Sequence, residues 1–176
     1  MLYRDKEGKD WVITIGIGVA LDVLKVWGIN LLELKTPSLS LEDAVKVAAA
    51  AVGYDRDFYA NLDEGIVAVV NAEILYFYFP PDYEKKETKK KADGDKITFG
   101  LIYELAGSVG IDPSPLTLWQ LLALVKGAQK RDWATESATL SLLYNINRGK
   151  NNKAKTPADF NPTIEAKPKP CIDKFL

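Results

Sequence analysis

A stretch with almost no apolar content, residues 80–96, divides the sequence into two apolar parts. It opens with two prolines, contains six lysines and five acidic residues, and has one aromatic side chain, Tyr83. Such a segment cannot bury enough apolar surface to order itself, so we predict a charged flexible linker at 80–96. The chain then comprises an N-terminal domain at 1–79, a C-terminal helical unit at 97–147 and an extended Lys/Pro-rich tail at 148–176.

The first fifteen residues predict a β-hairpin. The runs Leu2–Arg4 and Trp11–Ile15 flank a polar turn that contains Gly8, and the second run is rich in β-branched residues. Because an isolated hairpin is only marginally stable, it must pack on an apolar surface. The following Gly16-Ile-Gly18 resembles part of a phosphate-binding loop but lacks the third glycine, and a turn from the hairpin into a helix explains it.

Apolar residues at helical spacing predict that helices supply this apolar surface. The first helix should end at Gly28, because glycine readily adopts the left-handed conformation that terminates helices. Ser40 is a predicted N-cap of an alanine-rich second helix, and Ile66–Phe79 forms a later helix that Pro80 stops. The fold class is therefore α+β and mostly helical, with a small N-terminal hairpin packed on helices.

The C-terminal unit is predicted to be entirely helical. Residues 97–109 form a helix that ends at Gly110. The capping box Thr117-x-x-Gln120 starts a second helix, and a third should begin at residue 131 or 132 and run to residue 147. A short turn around Gly127 would join these last two helices.

Composition limits the chemistry that the chain can perform. Histidine is absent and Cys171 is the single cysteine, which excludes an intrachain disulfide, a zinc site of the usual Cys and His ligands, and histidine-based acid–base catalysis. We therefore expect no enzymatic activity, no metal and no cofactor. No apolar run is long enough to span a bilayer, and the start lacks the order of a secretory signal. We expect an intracellular chain that makes no membrane contact and keeps Cys171 as a free thiol.

The stretch from Leu116 to Pro162 carries the candidate partner-binding residues. They are Trp119, Leu122, Trp133, Tyr144, Arg148, Phe160, Asn161 and Pro162. Tryptophan is prominent at binding hot spots, but we favour core packing between two antiparallel helices for Trp119 and Trp133. A solvated tail needs no phenylalanine, so Phe160 should dock on the helix pair or on a partner.

Basic residues accumulate in the same part of the chain. They are Lys126, Lys130, Arg131, Arg148, Lys150, Lys153 and Lys155. Two short helices with these charges could mimic a DNA-reading helix-turn-helix, although the last helix offers Thr, Ser and apolar residues instead of a row of Arg, Asn and Gln. The net charge of −1 provides no global attraction to nucleic acid. We favour a solvated basic face, with DNA and an acidic protein partner as alternatives.

Five segments together are similar to a known family. The N-terminal segments are Glu7-Gly8-Lys9-Asp10-Trp11-Val-Ile-Thr-Ile and Trp27-Gly28-Ile29-Asn30-Leu31-Leu32. The C-terminal segments are Leu116-Thr-Leu-Trp-Gln-Leu-Leu, Asn145-x-Asn147-Arg148 and Pro157-Ala-Asp-Phe-Asn-Pro162. The residues of these segments and their order along the chain resemble those of the tail assembly chaperones of tailed bacteriophages and prophages, which more often have Asp at the position of Asn30.

The resemblance implies a protein of the bacterial host's cytoplasm that binds the tape measure protein. It would keep this long helical protein soluble during tail tube assembly and leave before the tail is complete. Tail tube subunits are a second expected partner, and the alanine run at residues 48–51 would also permit self-association. The first alternative function is a structural tail or connector component of the virion, and the second is a small DNA-binding regulator.

Overall fold

The structure, a computed structural model, describes residues 1–34, 38–81 and 96–164. Its contacts group the chain into unit 1, Met1–Val125, and unit 2, Lys126–Leu176. Most of the predicted linker at 80–96 lies outside the described residues, so the predicted domain boundaries around it stay a prediction. Cys171 also lies outside them.

The described residues form a mostly helical α+β protein, which confirms the predicted fold class. The strands are β1 (Leu2–Arg4) and β2 (Asp10–Val12). The α-helices are α1 (Ile17–Trp27), α2 (Leu41–Ala51), α3 (Arg56–Ala60), α4 (Gly65–Tyr78), α5 (Phe99–Val109) and α6 (Leu118–Asn147). Short 3-10 helices cover Leu31–Glu33 and Pro157–Asp159.

The predicted hairpin is present, with antiparallel β1 and β2 and Tyr3 opposite Trp11. Gly8 has φ 85° in its turn, a conformation that favours glycine. The buried Asp5 carboxylate fastens this turn by accepting from two backbone amides and from Trp11 Nε1 at 2.8 Å. The Trp11 hydrogen bond is the largest influence that holds the pKa of Asp5 below its ordinary value.

The hairpin packs on a core of aliphatic and aromatic side chains in unit 1, as its marginal intrinsic stability requires. The largest fully buried members are Phe58, Phe77, Ile13, Ile15, Ile17, Leu31, Ile66, Ile74, Ile102 and Leu121. The Phe58 ring meets the rings of Trp11 and Tyr3 edge-on, with centroids 5.2 and 6.0 Å apart. This aromatic cluster ties the hairpin to the short helix α3.

Helix ends in unit 1 follow the local signals of the sequence. Gly28 and Gly110 both have φ 71° immediately after α1 and α5. The Ser40 side chain accepts from the backbone amide three residues later and caps α2. At the start of α6 the predicted capping box forms, because the Thr117 amide donates to Gln120 Oε1 at 2.9 Å and the Gln120 amide donates back to Thr117 Oγ1 at 3.4 Å.

The glycines between the hairpin and α1 serve a close backbone contact. The Ile17 amide donates to the Leu116 carbonyl at 2.8 Å, and the Gly18 amide donates to the Ser114 carbonyl at 3.0 Å. A Cβ atom on Gly16 would lie 2.7 Å from the same Ser114 oxygen. These two amides are therefore satisfied by the connector before α6, which agrees with a turn in place of a phosphate-binding loop.

Candidate partner-binding surface

The prediction of two helices in residues 117–147 is wrong, because α6 is one helix of 30 residues from Leu118 to Asn147. Gly127 lies inside it, and the helix continues through the charged residues that follow. A glycine in a helix interior costs only about 1 kcal/mol relative to alanine. The helix-forming residues on both sides of Gly127 are therefore enough to continue the helix through it. Trp119 and Trp133 therefore belong to one helix, and residues 117–147 form no antiparallel pair for them to pack between.

Unit 2 is built on the second part of α6 and on the chain that returns to it. The Asn145 side chain pairs with the backbone of Lys155, because its Oδ1 accepts from the Lys155 amide at 3.0 Å and its Nδ2 donates to the Lys155 carbonyl at 2.8 Å. Ser141 Oγ donates to the same carbonyl at 2.8 Å. Two side chains one turn apart on the helix thus hold one residue of the tail.

Aromatic contacts continue this attachment beyond Lys155. The ring of Phe160 lies 6.0 Å from that of Tyr144, and the Lys155 ammonium lies 5.1 Å from the Tyr144 ring and 5.3 Å from the Phe160 ring. Phe160 is half-buried and docks on the helix, which is one of the two predicted places for it. The expectation of a purely extended tail is corrected over Pro157–Asp159, which forms a 3-10 helix.

A capping box holds the start of that 3-10 helix. Asp159 Oδ2 accepts from the Thr156 amide at 2.7 Å and from the Thr156 hydroxyl at 3.0 Å. The backbone amide of Thr156 is the main reason that the pKa of Asp159 lies below its ordinary value. The tail is therefore shaped by its own polar side chains as well as by its contact with α6.

Opposite the tail, α6 exposes large aliphatic side chains. Seen along the helix, the tail faces the side that carries Ser137, Ser141, Tyr144 and Asn145. The rest of the helix circumference, which we call the apolar side of α6, carries Leu140, Leu142, Leu143 and Ile146, with exposed fractions of 43%, 61%, 52% and 69%. Leu143 and Ile146 lie opposite the tail, and Leu140 and Leu142 lie on the two flanks. These four residues span about two helical turns. Their exposure contrasts with Ser137 and Ser141, which are buried.

Two of the eight candidate residues belong to unit 1. The Trp119 ring is half-buried and packs edge-on against Tyr76, with centroids 5.9 Å apart. Its Nε1 is buried and has no hydrogen-bond partner among the described residues. Leu122, one turn further along α6, is exposed. Trp119 thus makes a packing contact within unit 1, and Leu122 stays a candidate contact residue.

The other six candidates belong to unit 2. Trp133 is half-buried, and beside it lies a shallow depression that Asp132 and Glu136 also line. Arg148 donates to the Asn152 carbonyl at 3.0 Å within the loop after α6. The remaining four are in the tail attachment: Tyr144, Phe160, the buried Asn161 and the exposed Pro162. Of these four, Tyr144 and Phe160 meet in an aromatic contact, and Asn161 and Pro162 follow Phe160 in the chain.

Sequence reasoning assigned no role in the site to Leu142, Ile146 or Ser141. The run Leu140-Ser-Leu-Leu-Tyr-Asn-Ile146 does indicate exposed aliphatic residues, because its aliphatic residues cover more of the helix circumference than one buried face. The pairing of Asn145 with Lys155 left no such trace. It joins residues ten positions apart through a side chain and has no periodicity.

A helix-turn-helix is not formed by residues 118–147, since they are one continuous helix. None of the helices in the described part of the chain has the length and apolar content needed to cross a membrane. Within residues 1–34, 38–81 and 96–164, no three Cys, Asp or Glu residues are grouped so that they could hold a metal ion. No family model matches the sequence, and no curated protein or solved structure matches it either.

Proposed function

We propose that this protein is a tail assembly chaperone that binds the tape measure protein of a tailed bacteriophage or prophage. It would act in the cytoplasm of the bacterial host and without catalysis. The observation that carries the proposal is the apolar side of α6, where four aliphatic side chains are exposed next to each other. Large exposed apolar patches mark surfaces that bind other molecules.

The apolar side of α6 has the spacing needed to receive another helix. Leu140 and Leu143 are three residues apart, and Leu142 and Ile146 are four apart. Side chains at these separations form ridges on a helix surface that pack into the grooves of a second helix. A tape measure protein, as the resemblance implies, offers long helices whose apolar stripes need cover until the tube surrounds them.

Weak binding suits this role. An apolar side of only two turns provides few anchors, so one copy would bind a single site weakly and release it quickly. Many copies along one long partner would cover it collectively and could leave one at a time when tube subunits arrive. The segments that resemble the family also include the tail up to Pro162, which lies on the opposite side of the same helix.

Co-expression tests the proposal directly. The chain would be produced together with the tape measure protein encoded near it, and the soluble fraction of that partner would be measured with and without the chain. We expect the soluble fraction to rise and the two proteins to co-purify. A long helical protein from an unrelated source is the control. If the tape measure protein stays insoluble and does not co-purify, the proposal fails.

Mass spectrometry of purified particles separates this function from that of a structural virion component. A chaperone that leaves during assembly should be missing from finished tails, or present far below the amount of the tube subunit. A constant stoichiometric amount in the particles would instead favour the structural alternative.

A further inference from the structure

The charged residues that follow the exposed aliphatic residues in the sequence, up to residue 158, all have one sign. From residue 137 to residue 158 the sequence contains no aspartate or glutamate, and its four cations are Arg148, Lys150, Lys153 and Lys155. The described part of unit 2, residues 126–164, holds seven Lys and Arg residues against three Asp and Glu residues, a net charge of +4, although the whole chain has −1. Four of these seven cations lie in the loop that follows α6.

The structure attaches the loop that carries these cations to the last two turns of α6. The loop that carries them leaves α6 at Asn147, and its last residue, Lys155, is bound again to Ser141 and Asn145 on the two final turns. Inside the loop, the Asn152 amide donates to the Gly149 carbonyl at 3.0 Å. Because both ends of the loop lie on α6, its cations stay near the C-terminal end of the helix, with Lys155 on the side that faces the tail.

The cations are also available to an outside partner. Among the described residues, none of the four forms an ion pair with a carboxylate. Lys150 and Lys153 are exposed, and Arg148 uses one guanidinium nitrogen to donate to a carbonyl of its own loop. The arrangement is an aliphatic patch with a positive border at its C-terminal end and Glu136 one helical turn before Leu140.

We propose that the apolar side of α6 and the loop 148–155 bind helical segments whose apolar stripe is bordered by Asp or Glu. This inference rests on the proposed function and names which segments of the tape measure protein the chaperone would select. The aliphatic patch supplies the affinity, while the positive border supplies preference and orientation. A parallel second copy of this chain fits less well, because it would place one positive loop against another.

Designed peptides test this selection. Three helical peptides of equal length serve as probes: a leucine stripe bordered by Glu, the same stripe bordered by Lys, and a Glu-bordered peptide whose stripe is broken by Gln. Binding to the full chain would be measured by fluorescence anisotropy at low and high salt. We expect the Glu-bordered stripe to bind roughly tenfold more tightly than the Lys-bordered one, with a smaller ratio at high salt because salt screens exposed charges. The broken stripe should not bind.

Paired variants assign the two contributions. Leu142→Gln with Ile146→Gln should weaken binding of the Glu-bordered stripe by about tenfold or more, whereas Leu124→Gln, at another exposed leucine of α6, should leave it unchanged. Lys150→Glu with Lys153→Glu should abolish the preference for Glu over Lys borders. The control with the same change in charge is Lys126→Glu with Lys130→Glu, which should keep the preference.

Other occupants would give different results. Equal binding of the Glu- and Lys-bordered peptides overturns the inference, as does binding that the Leu142/Ile146 variant leaves intact. If no peptide binds but that variant converts a dimer into a monomer in sedimentation, a second copy occupies the surface. If only vesicles of anionic phospholipid bind, the surface faces a membrane. Either outcome also overturns the inference.

Two outcomes distinguish a failure of this binding surface from a failure of the proposed function. If the chain keeps the tape measure protein soluble and the Leu142/Ile146 variant does so equally well, the function stands and this surface is wrong. If the Glu-bordered peptide binds as expected but the tape measure protein is not solubilised, the surface stands and the proposed function fails.

Discussion

In unit 1 the largest fully buried side chains are aliphatic and aromatic, among them Ile15, Phe58 and Phe77, whereas in residues 126–164 of unit 2 every buried residue is polar. Those buried residues are Ser137, Ser141 and Asn161. Burial of apolar surface contributes about 25 cal/mol per Å², while a typical hydrogen bond contributes only about 0.5–1.5 kcal/mol net. Apolar burial therefore stabilises unit 1, whereas hydrogen bonds hold unit 2.

The contrast explains why one unit can be a scaffold and the other a binding surface. A hydrophobic core unfolds cooperatively and resists local opening, but a tail held by a few hydrogen bonds can detach alone. The aliphatic residues that unit 2 does not bury remain on the apolar side of α6, where a partner can cover them. The apolar surface that unit 2 leaves exposed when it folds can thus be buried in a complex and stabilise it.

The largest effect that should separate the units comes from truncating a core ring. Phe58→Ala removes a fully buried side chain that touches Trp11 and Tyr3, and should lower the free energy of unfolding by about 3–5 kcal/mol. Ile146→Ala in unit 2 should change it by less than about 0.5 kcal/mol, because Ile146 is exposed. Urea unfolding followed by circular dichroism measures both. Similar losses from the two variants would contradict the contrast.

A glycine pair tests how tightly unit 1 is packed. Gly16→Ala would place its Cβ atom 2.7 Å from the Ser114 carbonyl oxygen, so we expect a loss of about 1–3 kcal/mol in the free energy of unfolding. Gly107→Ala, in α5, meets nothing within 4 Å and should stabilise by about 0.5–1 kcal/mol through helix propensity. Thermal unfolding of both variants gives the comparison. A neutral Gly16→Ala would show that the connector before α6 can move away.

Unit 1 was largely predictable because its signals are local. Gly28, Ser40 and Thr117 each act within one helical turn, and the sequence shows that turn directly. The apolar periodicity of α4 is equally local. A hairpin followed by capped helices therefore predicts most of the elements without knowledge of their contacts.

Unit 2 was less predictable because weak or distant effects decide its structure. Gly127 with its charged neighbours resembled a helix boundary, yet the cost of one interior glycine is small and α6 continues. The attachment of Lys155 to Asn145 depends on how the loop folds back, which no spacing rule describes. Phe160 was predicted to dock because a phenylalanine in a polar tail needs a reason, and that argument from composition succeeded.

An asparagine pair tests the attachment of the tail. Asn145→Ala removes both hydrogen bonds to the Lys155 backbone and should favour the detached tail by about 1 kcal/mol, so trypsin should cleave after Lys153 or Lys155 roughly fivefold faster. Asn147→Ala is the matched control, because the Asn147 side chain donates to the Leu143 carbonyl of its own helix. Equal cleavage rates for the two variants would mean that Asn145 does not hold the tail.

The aromatic contact of the tail should contribute about as much or slightly less. Phe160→Ala removes the contact with Tyr144, and aromatic pairs contribute about 0.5–1.5 kcal/mol beyond the surface they bury. Hydrogen exchange of the amides at Thr156 and Phe160 should become a few-fold faster. Phe160→Leu keeps an apolar side chain and should recover part of the protection. Unchanged exchange in Phe160→Ala would show that the phenylalanine rests on the helix without holding the tail.

The smallest expected effect is a pH dependence of the tail's own fold. Asp159 accepts from the Thr156 amide and hydroxyl, and its pKa lies below the ordinary value of about 3.9. Its contribution to stability is therefore complete above that ordinary value and is lost as the pH falls through the lower folded pKa. Between neutral pH and pH 5 the protection of the Thr156 amide should stay constant, and it should fall only in more acidic solution. Asp159→Asn keeps an oxygen acceptor but cannot titrate, so its Thr156 protection, after correction for intrinsic exchange, should be lower at neutral pH and independent of acid. An equal acid response in this variant would assign the change to another group and leave the capping box without a measurable part in holding unit 2 together.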